Sequence, residues 1–336
     1  MTMLSRRRLL AATPALIGGP SIARCAVASS ERWARVVAAA RRHDQLHAIL
    51  VAHRSRTVVA EAFRGDGLDA LANVKSVSKS ILALLLGAAI DRGVVPSVEA
   101  RLVEVAPSLI PPDAAPKVQE ITLKDLVTLR AGLERTSGPN YGEWIASDNW
   151  VADALSRPFV AEPGGRMLYS TGSFHVLGAA LAEASGRDLL TLARSWLGDP
   201  LDIQVPPWTR DPQGYYMGGN QMALSPRAML RIGEMVRRGG RWQGAQVLPA
   251  DWIDACLTPV TRSPYSGLGY GYGWFTTVTS AGRLALARGY GGQIIAVAPD
   301  AGITIAITSD PRQPARSGGY FGDLMNLITE QVLPAA

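Results

Sequence analysis

The 336-residue sequence predicts an α/β (α+β) fold: one antiparallel sheet built from both chain ends and flanked by helices, with a mostly helical lobe inserted between them. Three observations predict it. Strand-like apolar runs cluster at residues 47–63 and again at 272–308. Between about 95 and 224, short helical pieces alternate with Pro/Gly-rich loops and strand candidates are scarce. With strands at the two ends of the sequence and helices between, one antiparallel sheet shared by both ends is the simplest fold. Residues 29–94 and 225–336 are therefore assigned to an α/β sheet lobe and 95–224 to a helical lobe. The seam between the lobes is where a cleft is expected.

In chain order, Glu31 to His43 reads as an amphipathic helix. His47–His53 and Thr57–Phe63 form a hairpin across Arg54-Ser55-Arg56. The polar stretch Val74-Lys75-Ser76-Val77-Ser78-Lys79-Ser80 opens onto the run ILALLLGAAI, a helix apolar on every side that ends near Asp91-Arg92-Gly93. Ile121–Arg130 carries Thr122 as N-cap with Asp125 three residues on. Helices follow at Pro226–Arg238 and Pro249–Cys256, then strands at Tyr272–Val278, Arg283–Ala287, Ile294–Ala298 and Ile303–Thr308. Pro299-Asp300-Ala301-Gly302 turns between the last two strands, and Gly322–Val332 closes the chain as a helix.

Charge and composition exclude several classes. The net charge is +6, but Arg6, Arg7, Arg8 and Arg24 fall in the first 28 residues, which hold no acid. Without them 30 basic side chains face 28 acidic ones, a net of about +2, which gives no electrostatic case for nucleic acid. Ser5-Arg6-Arg7-Arg8-Leu9-Leu10 resembles a twin-arginine export signal, followed by an apolar stretch to Ile22 and a small-residue cleavage site at Ala26-Val27-Ala28. Residues 1–28 therefore read as a signal peptide, too short in its apolar part for a stable membrane span, and the mature protein is expected to be periplasmic or secreted. A lipid anchor at Cys25 is disfavoured by Arg24 before it. Cleavage after Ala28 leaves Cys256 as the single cysteine, so no internal disulfide forms. His43 and His47 stand four residues apart without a third ligand nearby, and no metal or cofactor is expected.

The chemistry starts at Ser76 and Lys79. Residues three apart share a helical face, so the lysine amine reaches the serine hydroxyl one turn away. A serine is a poor nucleophile until something takes its proton, and a buried lysine, its charge disfavoured by desolvation, can do so. The helix start adds free N–H groups suited to an oxyanion. A serine N-cap followed by an incidental lysine has the same spelling, and the tetrapeptide alone does not separate the two.

Two distant segments do. In its order of motifs the chain resembles the serine β-lactamase and penicillin-binding-protein superfamily, class C-like branch. Ser76-Val77-Ser78-Lys79 matches its S-x-x-K element, Tyr169-Ser170-Thr171 its Tyr-x-Asn element, and Gly289-Tyr290-Gly291-Gly292-Gln293 the glycine-ended motif on the strand beside the nucleophile. The likeness runs from about residue 45 to 333 and is closest in pattern to the 6-aminohexanoate-oligomer hydrolases and related carboxylesterases. It implies a β-lactamase/transpeptidase-like fold and a serine hydrolase acting through an acyl-enzyme on a small-molecule ester, amide or β-lactam. By the same resemblance Ser76 is the nucleophile and Lys79 shuttles its proton. Tyr169 is a second base candidate or stabilises Lys79, and the main-chain N–H groups of Ser76 and Gln293, beside Gly292, form the oxyanion hole.

Two departures bear on substrate. Thr171 stands where the family has asparagine and lacks the amide's two-ended reach. Tyr290 stands where many relatives carry lysine or histidine, giving a hydrogen bond but no charge. Both lean toward ester or amide hydrolysis, with β-lactamase or D-Ala-D-Ala peptidase activity as the alternative and an inactive penicillin-recognition scaffold as a second. A Ser-His-Asp hydrolase is disfavoured by the lack of any Gly-x-Ser-x-Gly elbow. Trp208, Asp211, Tyr215 and Tyr216 either line the cleft or pack on the surface, and His175 reads as core.

Overall fold

The computed structural model describes residues 20–336, with side chains from residue 30 onward. The twin-arginine segment Ser5–Leu10 lies outside the described residues. The expected cleavage point after Ala28 falls inside the first helix, Pro20–Arg41 (α1).

Leu46–His53 (β1) and Arg56–Ala62 (β2) form the expected hairpin. Arg54 and Ser55 at its tip both take positive φ (50° and 66°), the twist that suits two paired strands. Six more strands come from the other end of the chain: Thr261–Arg262 (β3), Gly269–Tyr270 (β4), Phe275–Thr279 (β5), Gly282–Gly289 (β6), Gln293–Ala298 (β7) and Ile303–Ser309 (β8). All eight make one antiparallel sheet in the order β2-β1-β8-β7-β6-β5-β4-β3. The joint between the chain ends is β1 on β8, where Ile49 faces Ile307 and Val51 faces Ile305. Every residue of β7 and β8 is buried, which is why these strands read as unbroken apolar runs instead of alternating.

The strand expected from Tyr272 starts at Phe275. Gly273 takes φ +76° and turns the chain, sending Tyr272 and Trp274 into the core. Thr122 caps Leu123–Val127 with the expected reciprocal bonds: Asp125 N donates to Thr122 Oγ1 at 3.1 Å, and Thr122 N donates to Asp125 Oδ2 at 2.9 Å. That helix stops short of Arg130 because Leu129 is left-handed, φ +61°. Residues 95–224 contribute no strand to the large sheet.

The central helix, Val77–Asp91 (α2), is buried on all sides from Val77 to Ala89. A second buried helix, Thr171–Ser185 (α3), packs against it from the helical region. Pro226–Arg237 (α4) lies on β1, β7 and β8. Ala250–Leu257 (α5) presses Trp252 onto α2, where its indole N–H donates to the Ala83 carbonyl at 3.0 Å. Tyr320–Asn326 (α6) continues as a wider, π-type helix over Leu327–Val332. Among the described helices none is long and apolar enough to cross a membrane.

The α2–α5 contact depends on Gly87. A Cβ there would stand 2.2 Å from the Trp252 ring, and the indole is tied down by its bond to Ala83. Gly87→Ala should therefore lower the unfolding free energy by about 1–3 kcal/mol, the usual range for overpacking, as read from urea denaturation.

Candidate active site

Ser76 is the N-cap of α2, and nothing among the described residues accepts its main-chain N–H. The residue before it, Lys75, is held at φ +51°, a left-handed conformation that costs free energy for a side chain with a Cβ. Its N–H donates to Asn73 Oδ1 at 2.9 Å, and its carbonyl accepts from Ser78 Oγ at 2.6 Å. The bend aims Ser76 into a cleft of about 710 Å³ that Tyr169, Thr171 and Tyr290 also line.

Lys79 is buried one turn along α2. Its Nζ has three partners: Gly219 O at 2.7 Å, Ser76 Oγ at 3.1 Å and Thr171 Oγ1 at 3.2 Å. No carboxylate pairs with it among the described residues, and burial lowers its pKa to about 7. A neutral amine has two N–H bonds and a lone pair. Gly219 O and Thr171 Oγ1 can take the N–H bonds, which leaves the lone pair to accept the Ser76 hydroxyl proton.

The segment Tyr169-Ser170-Thr171 leads into α3. The first N–H groups of α3 lack intrahelical acceptors, and a separate loop supplies them. Thr171 N donates to Ser137 Oγ at 2.9 Å, and Gly172 N donates to Thr136 Oγ1 at 2.7 Å. Ser137 Oγ also stands 2.9 Å from Thr171 Oγ1, so the hydroxyl at the usual asparagine position is oriented by a second hydroxyl. Tyr169 stacks on Phe275, ring centroids 6.4 Å apart, with Lys79 Nζ 5.0 Å from its own ring centroid. Burial raises its phenol above the ordinary value, and the nearby Ser76 hydroxyl and Arg288 charge only partly oppose this. Lys79, not Tyr169, makes the closed hydrogen bond to Ser76 Oγ.

The third element approaches Ser76 because Gly289 ends β6 with no side chain. A Cβ on Gly289 would lie 2.3 Å from the Val74 carbonyl, two residues before Ser76. Tyr290 is half exposed at the cleft mouth. Gln293 opens β7 with its side chain buried away from the cleft, where Nε2 donates to Ser309 O at 2.8 Å and Oε1 accepts Ser309 N at 3.1 Å. Gly292 beside it takes φ +91°. Neither Gly292 nor the Gln293 side chain lines the cleft, so any contribution of this turn to an oxyanion comes from the main chain.

The other two serines of the segment 74–80 are structural. Ser78 Oγ accepts Met222 N at 3.2 Å, and Ser80 Oγ donates to Gly273 O at 2.6 Å. Of the loop residues, Trp208 packs on Tyr216, Tyr215 donates to Glu183 at 2.6 Å, and none lines the cleft.

Ser137, Gly219, Phe275 and Arg288 escaped the sequence reading, since no spacing links them to Ser76. A further group acts from behind. His175, four residues after Thr171 on α3, is buried with Asp211; Nε2 lies 2.9 Å from Asp211 Oδ2. Its Nδ1 accepts Gly218 N at 3.4 Å, which assigns the proton to Nε2. Gly218 precedes the residue whose carbonyl holds Lys79, so the pair braces that loop. Core is thus the right place for His175, but it is a hydrogen-bonded core. His175→Phe takes the partner from Asp211 Oδ2 and from the Gly218 N–H, while Asp211 Oδ1 keeps its bond from Tyr215 N. It should cost roughly 2–4 kcal/mol in urea denaturation and lower kcat, since Gly219 O is no longer pinned.

The sequence matches the Beta-lactamase family model over residues 35–327. Among curated proteins none matches. Solved structures with the same fold include EstCE1, a hydrolase with promiscuous acyltransferase activity. It is 16% identical, with TM-score 0.74, covering 92% of this chain and 99% of that one. A penicillin-binding-protein homolog from Caulobacter crescentus is 17% identical with TM-score 0.72, covering 91% and 98%. A protein from Bacillus anthracis described as a candidate 6-aminohexanoate-dimer hydrolase is 16% identical with TM-score 0.71, covering 85% and 79%. At such identities these likenesses are of fold. The family model, however, spans most of the chain and includes all three elements that meet at the cleft, and the chain belongs to the β-lactamase family.

Proposed function

We propose that this protein is an exported serine hydrolase that cleaves a small-molecule ester or amide through an acyl-enzyme on Ser76. The observation that carries the reading is the coordination of Lys79 Nζ: two acceptors for its N–H bonds and Ser76 Oγ at 3.1 Å for its lone pair. In this scheme Lys79 takes the Ser76 proton as Oγ bonds to the substrate carbonyl carbon. The Ser76 N–H and the Gln293 N–H receive the oxyanion. Collapse of the tetrahedral intermediate breaks the bond to the leaving group, which takes a proton from Tyr169, and Tyr169 regains one from Lys79. Water then attacks the acyl-enzyme along the same path in reverse. Tyr169 is assigned as proton donor and not as first base, because burial keeps its phenol protonated at neutral pH.

The reading is tested with the purified mature protein on a panel of short-chain p-nitrophenyl esters, nitrocefin, a D-Ala-D-Ala peptide and a 6-aminohexanoate dimer. Turnover of esters or the linear amide exceeding that of nitrocefin is expected, and covalent labelling of Ser76 by a fluorophosphonate should be visible by mass spectrometry. An intact fold with neither turnover nor labelling would favour the scaffold alternative. Tyr169→Phe should lower kcat by about 100-fold or more, the scale for a general acid. An unchanged rate would remove Tyr169 from the scheme. Export is checked separately: Arg6→Lys/Arg7→Lys should strand the precursor in the cytoplasm.

A further inference from the structure

The charge of the chain is unevenly placed. From residue 29 on there are 30 basic and 28 acidic side chains; residues 30–64 hold seven and three of them, leaving 23 and 25 for all that follows. The segment that forms α1 and the β1–β2 hairpin is thus +4, and the rest is −2. All seven basic residues are arginines. Only Arg64 pairs with a side-chain carboxylate among the described residues, Asp44 at 3.0 Å. Arg32 Nη1 donates to Ala336 O at 3.5 Å. Arg35, Arg41, Arg42, Arg54 and Arg56 are exposed, and none has an ion-pair partner among the described residues.

The fold gathers these side chains on one edge. Trp33, Val36, Ala39 and Ala40 turn one face of α1 inward. At about 3.6 residues per turn the opposite face carries Glu31, Ala34, Arg35, Ala38, Arg41 and Arg42, all exposed. Trp33 meets His53 with ring centroids 6.2 Å apart, and Arg41 lies 5.1 Å over the Phe63 ring. Trp33 therefore sits by the hairpin tip, which carries Arg54 and Arg56. His53 registers the local field: its pKa is lowered, first by burial and then by the charges of Arg54, Arg32 and Arg237. Charges on an edge strand also ward off pairing with another sheet, which accounts for Arg56 on β2. That does not account for arginines on the outer face of a helix, where Ala34 and Ala38 leave the guanidinium groups standing clear.

We propose that the outer face of α1 and the hairpin tip dock on an anionic phospholipid surface, holding the protein on a bilayer by charge while the cleft stays open. Positive charge suits any polyanion, and chain order selects lipid. The expected export leader runs directly into α1, so a precursor held in a membrane by its leader presents this edge to the headgroups. That choice rests on the export reading, whereas the test below does not. The outer face carries no large apolar side chain, so the contact is with headgroups, without insertion, and salt weakens it. β2 is the edge strand, four strand spacings or roughly 19 Å from β6 beside Ser76, so this edge stands apart from the active site.

The test is co-sedimentation of the purified mature protein with vesicles of phosphatidylglycerol and phosphatidylcholine in equal parts, against phosphatidylcholine alone. Binding to the anionic vesicles only, reversed by raised salt, is expected. Arg35→Gln/Arg42→Gln/Arg54→Gln/Arg56→Gln should weaken it by roughly 100-fold or more, at about fivefold for each arginine near the surface, with circular dichroism and ester turnover unchanged. Two matched pairs separate the patch from net charge. Arg35→Gln/Arg54→Gln should weaken binding by roughly 25-fold. Arg166→Gln/Arg187→Gln, which removes the same charge from the helical region, should change it by no more than about twofold. Equal losses in the two pairs, or no binding to anionic vesicles, would overturn the proposal. So would retention on heparin without binding to vesicles, which would assign the patch to a polysaccharide. Vesicle binding without ester turnover supports the docking surface and counts against the hydrolase reading; turnover without vesicle binding does the reverse.

Discussion

Ser76→Ala is expected to abolish hydrolysis of p-nitrophenyl esters while leaving the fold intact. The side chain faces the cleft, and its loss removes the proposed nucleophile and one partner of Lys79, 3.1 Å away. The main-chain N–H at position 76 survives the substitution, so the oxyanion donors and the substrate pocket are retained. The expected fall in kcat is at least about 10⁴-fold, with KM or ligand affinity little changed, because a missing nucleophile is a loss confined to the covalent step. Circular dichroism and urea denaturation check that the variant is folded; Lys79 keeps its bonds to Gly219 and Thr171, so stability should shift by no more than about 1 kcal/mol. Turnover near the wild-type level in a folded Ser76→Ala protein would refute the acyl-enzyme.

The second large effect concerns Lys79 and has two readouts of the same burial. Its pKa in the folded protein is about 7, against about 10.4 for a free lysine. If neutral Lys79 takes the Ser76 proton, kcat/KM rises with pH through about 7 and then levels off. Were Tyr169 the base, the rise would come above its ordinary value near 10, because burial moves the phenol upward. The midpoint of the pH profile therefore distinguishes the two groups that sequence motifs leave as a pair. Stability follows with a definite sign. Between about pH 7 and 10 the unfolded chain binds a proton at this lysine and the folded protein does not. The unfolded state holds more protons there, so stability increases as pH rises across that window. Below about pH 7 the full penalty of burying the charge is present. Lys79→Met should thus be inactive yet more stable than the wild type at pH 6, by up to the order of 4 kcal/mol less the lost bonds to Gly219 and Thr171. The gap should shrink toward pH 10. A pH-independent difference in urea denaturation would mean that Lys79 is not held near neutrality.

Much of this architecture was readable from residue order, and the reasons are local. Ile303–Ser309 and Gln293–Ala298 are short, apolar and β-branched, bounded by a Pro-Asp-Ala-Gly turn, and they became the buried centre of the sheet. The hairpin tip and the Thr122 capping box involve residues within a few positions of each other, where backbone geometry leaves little choice. Boundaries failed where one residue took an unusual backbone angle, as at Gly273 and Leu129, because a single left-handed φ redirects the chain without altering its apolar pattern.

The Ser76–Lys79 contact belongs to the same legible class. Helical geometry brings residues three apart together, so the S-x-x-K spelling by itself determined that a hydroxyl and an amine would meet. What the amine could do there was decided only in three dimensions. Its shifted pKa comes from burial under α3 and the loop at Gly219, which lies 140 positions along the chain. The Thr171 hydroxyl, where the family motif has asparagine, is oriented by Ser137 on another loop. Arg288 looks in sequence like any strand arginine; that it meets only neutral acceptors among the described residues is a property of the folded surroundings and not of its neighbours in the chain. Spacing sets which groups can touch within an element; desolvation and counter-charge, which set protonation and specificity, are summed over everything that folds around them.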